Sequence, residues 1–401
     1  MIIRDFTNVI TIQSFKAEIA SELESLTSYW LQNAIDETYG GFVGVVDYCN
    51  KIVPEANKGI ILNTRILWSF SALARHKKTS EHLPICNRAY EYLKDFFLDK
   101  TYGGVYWEVD VKGYPVNKRK QVYAQVFAIY AFTEYYLLTG KVEAKNLAIS
   151  IFELIEEHAR DRGQGGYTEA MDEQWGSLSD MCLSEKDMNA AKTMNTHLHV
   201  LEAYTNLLKV YDNDELRQSL KALVGLFTEK FLSVDYRHHL FFDESWMLLS
   251  QAASYGHDIE AAWLVLEAVE AINDPVLTES YEKIALNIAD SFLNEAIALD
   301  GAVLNEKNLL TQTVDTDRHW WVQAEAMLGL IYLYRITPDE RYISTALRIW
   351  DYTKNHLRDK AHGEWYFRVD ELGKSYSEDK ISMWKAPYHV FRSCINMIDK
   401  L

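Results

Sequence analysis

Proton transfer at a carbon atom needs a base that titrates near neutrality and a cation beside the oxygen where charge develops. The sequence offers both. His199, His257 and His389 stand in three comparable settings, Asn195-Thr196-His197-Leu198-His199, Tyr255-Gly256-His257-Asp258-Ile259-Glu260 and Trp384-Lys385-Ala386-Pro387-Tyr388-His389. Asn195 lies one turn before His199 and Glu260 one turn after His257, so on a helix each pair shares a face and the partner can fix the imidazole's orientation and tautomer. Arg65, between Leu62 and Leu67 in an apolar stretch, is a costly cation to bury without a task. Tyr123 occupies the matching place in its own stretch. Trp320, Trp321 and Trp384 are either core or stacking faces for the apolar side of a sugar.

Three chemistries can be drawn from this inventory. A metal centre would use His199, His257, Glu260 and His389, but they come from distant stretches rather than a compact HExxH or CxxC motif. A glycosidase needs two placed carboxylates, for which Asp258, Glu260 and Glu325 are candidates. Proton transfer at carbon uses the imidazoles as bases and Arg65 as the oxyanion partner, and the number of histidines favours it. His76, His82, His158 and His356 read as structural or surface residues. His197, His238, His239, His319 and His362 stay open, with a structural role favoured.

The elements that position these residues are legible as a repeat. Glycine-aromatic marks recur at Tyr39-Gly40-Gly41-Phe42, Tyr102-Gly103-Gly104-Val105-Tyr106-Trp107, Gly165-Gly166-Tyr167, Asp300-Gly301-Ala302-Val303-Leu304 and His362-Gly363-Glu364-Trp365-Tyr366. Their spacing of roughly 62 residues is the scale of a repeat architecture, and His238-His239-Leu240-Phe241-Phe242 fits the missing fourth mark in a longer gap. Between marks the text is helical. Ala128 to Leu137 and Ala324 to Ile331 are apolar nearly all round, as a helix buried on most sides must be. Ser14 to Leu31 and Asp214 to Phe231 carry one apolar stripe and a charged face, as outer helices do. Six units of outer helix, short hairpin and inner helix can satisfy their apolar faces by closing into two concentric rings. The expected fold is all-α, an (α/α)6 barrel of six helical hairpins with short β-hairpins at one mouth, in a single domain over residues 1–401. An open solenoid would need polar end caps, yet the last unit carries Trp384, Tyr388 and Phe391 as densely as a middle one.

Composition narrows the partners. Of 401 residues 48% are apolar and 13% aromatic, enough for a large core. A net charge of −17, with no basic run longer than Lys118-Arg119-Lys120, removes the electrostatic drive toward nucleic acid or an anionic membrane. Cys49, Cys86, Cys182 and Cys394 are scattered without CxxC spacing, which fits reduced thiols and a cytoplasmic location. The start, Met1-Ile2-Ile3-Arg4-Asp5-Phe6, lacks the apolar run of a signal peptide or anchor, so the chain reads as mature.

At the quoted histidine stretches, and at Lys58-Gly59-Ile60-Ile61-Leu62-Asn63-Thr64-Arg65-Ile66-Leu67-Trp68, Lys192-Thr193-Met194-Asn195 and Trp320-Trp321-Val322-Gln323-Ala324-Glu325-Ala326, the chain resembles the N-acylglucosamine 2-epimerase superfamily. Within it, the cellobiose 2-epimerases are the most similar branch. The resemblance implies the (α/α)6 barrel, no cofactor and no metal, a small-molecule sugar as substrate, and inversion at C2 of a reducing-end glucose or mannose unit of a β-1,4-linked disaccharide through an enediolate. Carried over by motif, His257 and His389 are the two bases, His199 assists ring opening, and Glu260 orients His257. Arg65 and Asn195 bind the O1/O2 side, Tyr123 is a hydrogen-bonding neighbour, and Trp320 and Trp384 are the aromatic walls. Ala386 and Val390 depart from the family's pattern around His389, which keeps a mannose 2-epimerase as the alternative. A barrel glycoside hydrolase or a sugar-binding protein is the alternative of another class. A monomer or weak homodimer is expected.

Overall fold

The computed structural model describes residues 12–401, so the reading of Met1 to Phe6 lies outside the described residues. Six helices with one apolar stripe form the outer layer: α1 (Ile12–Asn33), α3 (Leu83–Tyr92), α5 (Val142–Leu154), α7 (Asp214–Glu229), α9 (Pro275–Glu295) and α11 (Glu340–Tyr352). Six alternate with them on the inside: α2 (Ile60–Lys77), α4 (Val122–Thr139), α6 (Met194–Leu208), α8 (Tyr255–Ile272), α10 (Trp320–Ile336) and α12 (Tyr388–Lys400). In α7 the buried residues Leu216, Leu220, Leu223, Val224 and Phe227 form one stripe, whereas α4 is buried at every position from Val122 to Tyr135. Each inner helix packs on the next, and α12 packs on α2, so the ring is closed. The fold is the (α/α)6 barrel that the alternation of helices implies.

Every outer helix hands the chain to the mouth through the same small device. A β-bridge follows each one, Ile35 with Phe42, Leu98 with Val105, Arg160 with Tyr167, Leu232 with His238, Ile297 with Val303 and Arg358 with Trp365. The fourth mark is thus His238, as its sequence suggested. Its turn lacks glycine and places Tyr236 at φ +57°, where the fifth unit has Gly301 at φ +93°. In four units an aspartate inside the turn caps backbone N–H groups with one oxygen and takes a buried lysine with the other. These pairs are Asp36–Lys58 at 2.6 Å, Asp99–Lys120 at 2.6 Å, Asp161–Lys192 at 2.7 Å and Asp359–Lys380 at 2.8 Å. Lys58, Lys120 and Lys192 lie two residues before an inner helix, so each ion pair ties the turn to the start of that helix.

The short strands join neighbours rather than staying within a unit. Lys58–Gly59 pairs with Glu108–Val109, Lys120–Gln121 with Ala170–Met171, Lys192–Thr193 with Phe241–Phe242, Ala252–Ser254 with Glu306–Asn308, and Arg318–His319 with Arg368–Val369. A bridge from Val46 to Ile381 links first unit to last, closing the rim as the helices close the wall. Local hairpins of the expected kind also occur, Glu108–Val109 with Pro115–Asn117 and Glu306–Asn308 with Val314–Asp315.

Candidate active site

Because the strands Lys58–Gly59, Lys120–Gln121, Lys192–Thr193, Ala252–Ser254 and Arg318–His319 each end where an inner helix begins, the N-termini of these helices converge on one mouth, and their dipoles favour negative charge there. A cavity of about 510 Å³ opens between them. All nine residues singled out in the sequence line it: Arg65, Tyr123, Asn195, His199, His257, Glu260, Trp320, Trp384 and His389. The segment Leu183 to Asp187, from the long loop before α6, also lines it, and nothing in its residue types announced that placement. His319, Trp321 and Phe367 complete the wall.

The three histidines are each held at Nδ1, but not by the partners that helical spacing suggested. His199 Nδ1 is 2.9 Å from Glu202 Oε2, not bound to Asn195. His257 Nδ1 is 2.8 Å from Ser254 Oγ, and the expected orienting role of Glu260 is not seen. His389 Nδ1 is 2.7 Å from Glu325 Oε1, with Glu260 Oε1 at 3.9 Å. Glu260 instead accepts from Arg392 Nη2 at 2.5 Å, and the same nitrogen donates to Glu325 Oε1 at 2.7 Å. Arg392 Nη1 donates to Glu202, which also accepts from the Tyr388 hydroxyl at 2.5 Å. One guanidinium therefore braces three carboxylates, each almost fully buried. Glu202 and Arg392 escaped sequence reading, although each stands three residues after a site histidine, as Glu260 does after His257.

Other candidates are absorbed by the fold. Asp258 Oδ1 accepts from the His238 N–H at 2.7 Å and lies 2.9 Å from His238 Nδ1, so it is not a free carboxylate for glycoside cleavage. His197 accepts the Tyr167 N–H at Nε2 and bonds the Thr193 carbonyl through Nδ1, a structural role, and burial pushes it down to about 4. Gln125 and Gln323 hold Val105 and Val303 in the same way in their units.

On the oxygen-binding side, Arg65 Nη2 donates to the Tyr123 hydroxyl at 2.8 Å, and its guanidinium lies 4.5 Å from the Phe127 ring centroid and 5.0 Å from that of Tyr388. Arg65 Nε, Asn195 Oδ1 and Trp320 Nε1 are buried without a protein hydrogen-bond partner. Such orphaned groups on cavity-lining residues suit the hydroxyls of a polar ligand. Trp320 packs on Phe367 at 4.4 Å and is nearly buried, whereas the half-buried Trp321 stands beside two of the histidines, its ring centroid 4.9 Å from that of His257 and 5.6 Å from that of His389.

Burial sets the charge states. It lowers His257 and His389, so both imidazoles are neutral at pH 7, with Arg65 and Arg392 depressing His389 further. Burial opposes ionisation of Glu202, but Arg392 and the His199 hydrogen bond outweigh it and hold this carboxyl at about 2. Glu325 goes the other way, raised by burial to about 8 despite Arg392, with the Glu260 charge adding to the shift. His389 and Glu325 thus share one proton across their bond and titrate as a unit. Glu260, Glu325 and His389 have ligand atoms within 4.8 Å of one another, spacing that a cation would accept. The Arg392 guanidinium already bonds both carboxylates and supplies that positive charge.

Residues 40–393 match the N-acylglucosamine 2-epimerase (GlcNAc 2-epimerase) family. The cellobiose 2-epimerase of Bacteroides fragilis is 42% identical over 386 residues, covering 96% of this chain and 98% of that protein. That of Dictyoglomus turgidum is 36% identical, covering 97% of this chain and all of the relative. The solved structure of cellobiose 2-epimerase from Bacillus thermoamylovorans superposes with a TM-score of 0.93 at 37% identity, over 97% of this chain and 100% of the other.

Proposed function

The chain belongs to the N-acylglucosamine 2-epimerase family, and from that premise we infer that it is a sugar 2-epimerase, interconverting glucose and mannose at the reducing end of β-1,4-linked disaccharides such as cellobiose, lactose and mannobiose. The observation that supports the mechanism is that two neutral imidazoles, His257 and His389, each beside Trp321, line one cavity with Arg65. Inversion through a planar enediolate needs a base on each face of C2, and these are the two bases.

His199, braced by Glu202, opens the sugar ring to expose the C1 aldehyde that acidifies the C2 proton. One base removes that proton, the negative charge passes to the oxygens held by Arg65 and Asn195, and the helix N-termini stabilise it. Tyr123 fixes Arg65. The second base returns a proton to the other face. Trp320 and Trp384 wall the reducing-end and adjoining sugar positions, and Glu260 anchors Arg392 beneath the bases. No cofactor enters these steps. The chain acts as one barrel domain in the cytoplasm, as a monomer or weak homodimer. Its four free cysteines support a reducing compartment, and no helix among the described residues is long and apolar enough to cross a membrane.

Incubation with cellobiose, lactose, mannobiose, mannose and N-acetylglucosamine, with chromatography of the products, tests the reading. The expected product from cellobiose is its reducing-end manno epimer. Turnover of mannose alone would support the mannose 2-epimerase alternative, and stoichiometric glucose release would support a hydrolase. Binding without turnover would make the cavity a sugar receptor.

A further inference from the structure

Ser254 ends the strand Ala252–Ser254 and occupies the N-cap of α8. A serine there ordinarily accepts a hydrogen bond from an N–H of the first helical turn, as Thr193 does from Thr196 at the start of α6. Ser254 makes no such bond. Its hydroxyl lies 2.8 Å from His257 Nδ1 instead, so the capping contribution is given up for a contact with a ring that lines the cavity.

The choice of partner matters because His199 and His389 both meet carboxylates at Nδ1. A carboxylate can take up a proton and favours the imidazolium, whereas a serine hydroxyl stays neutral and accepts an N–H without storing the proton. We propose that Ser254 is the positioning residue of His257: its hydroxyl accepts the Nδ1–H, turns the Nε2 lone pair toward the sugar, and leaves this ring the proton-free member of the two bases. This rests on the epimerase reading above.

The step balances. Starting from the manno epimer, the C2–H bond breaks toward His257 Nε2, its electron pair forms the second C1–C2 bond, and the carbonyl pair moves onto O1 beside Arg65. The His389–Glu325 pair gives up its proton to the opposite face of C2 as the C1 carbonyl re-forms. His257 ends loaded and the His389 pair empty. The groups facing His257 are Asp258 and Glu260 on its own helix, His199 on α6, His389 on α12 and Asp187 on the mouth loop. The hydrogen-bond partner of Nδ1 is Ser254 Oγ.

The test compares Ser254→Ala, Ser254→Thr and Ser254→Asp in the full chain, with a thermal melt to show that each is folded. Ser254→Ala is expected to lose on the order of tenfold in kcat toward the manno epimer of cellobiose with KM nearly unchanged, as removal of one hydrogen bond to a charged intermediate predicts. Ser254→Thr should restore the rate, and Ser254→Asp should move the acid limb of the pH profile upward by favouring the imidazolium. In parallel, 15N spectra of the histidine rings should show an Nδ1–H tautomer for His257 in the parent protein that becomes mixed in Ser254→Ala. A parent protein inactive on every sugar would remove the epimerase reading, yet the tautomer measurement would still decide whether Ser254 fixes the ring. A kcat and acid limb unchanged in Ser254→Ala, or a Ser254→Thr variant as impaired as Ser254→Ala, would overturn the proposal.

Discussion

His389 and Glu325, on neighbouring inner helices, meet with Nδ1 and Oε1 2.7 Å apart, and Arg392 Nη2 donates to that same Oε1. The carboxyl is therefore both the support of a base and part of a charge network. Glu325→Gln keeps the volume but cannot accept and release the shared proton. It should reduce kcat on the order of a hundredfold, the upper range for loss of a charge-assisted bond, while cellobiose KM changes little. Steady-state kinetics on the folded variant check this.

Arg392 carries a second expectation, about stability. It is the cation among Glu202, Glu260 and Glu325, all almost fully buried. Arg392→Met would leave the buried Glu202 charge uncompensated, at a cost of about 3–5 kcal/mol. Denaturant melts should show the midpoint falling with little change in slope. An unchanged midpoint would mean that the carboxylates shed their charges at little cost.

The pH profile should be bell-shaped. His257 is lowered by burial below its ordinary 6.5, so it stays a competent base on the acid side and the acid limb of kcat/KM falls below that value. Glu325, raised to about 8, keeps the shared proton below that pH and loses it above, so the basic limb should fall near 8. Stability should slope as well. His197 is lowered to about 4, so between 4 and 6.5 the unfolded chain binds more protons than the folded one, and stability declines as pH falls through that window. Rate profiles and melting curves over pH 4 to 9 read both effects.

The ring of helices was legible because buried and striped helices alternate in the sequence, as α4 and α7 illustrate, and closure followed from the density of aromatics in α12. The nine cavity residues were legible for a related reason: each inner helix begins at the mouth, so polar residues at its start stand out against an apolar helix. What could not be read were partners on other helices. Glu325 lies 64 residues before the histidine it supports, and Glu202 lies 190 before Arg392, so no local spacing relates them. Ser254 was hidden by looking normal, since a serine before a helix reads as a cap. The lysines at 58, 120, 192 and 380 were visible as letters, but their aspartate partners belong to the preceding turn.

Metal dependence gives a further check. With Arg392 supplying positive charge at Glu260 and Glu325, exhaustive treatment with EDTA should leave the rate unchanged. Loss of activity, with recovery on adding one divalent ion, would assign Glu260, Glu325 and His389 to a metal centre instead.

His257 and His389 acting on opposite faces of C2 is read most directly by hydrogen exchange in D2O with the single variants His257→Asn and His389→Asn, each shown to be folded. Neither should form the epimer, because inversion needs both bases. Each keeps one base and should still wash deuterium into the C2 position of one epimer, His257→Asn into the gluco sugar and His389→Asn into the manno sugar. Near-normal epimerisation by either folded variant would contradict the account and leave His199 as the remaining histidine able to carry the chemistry.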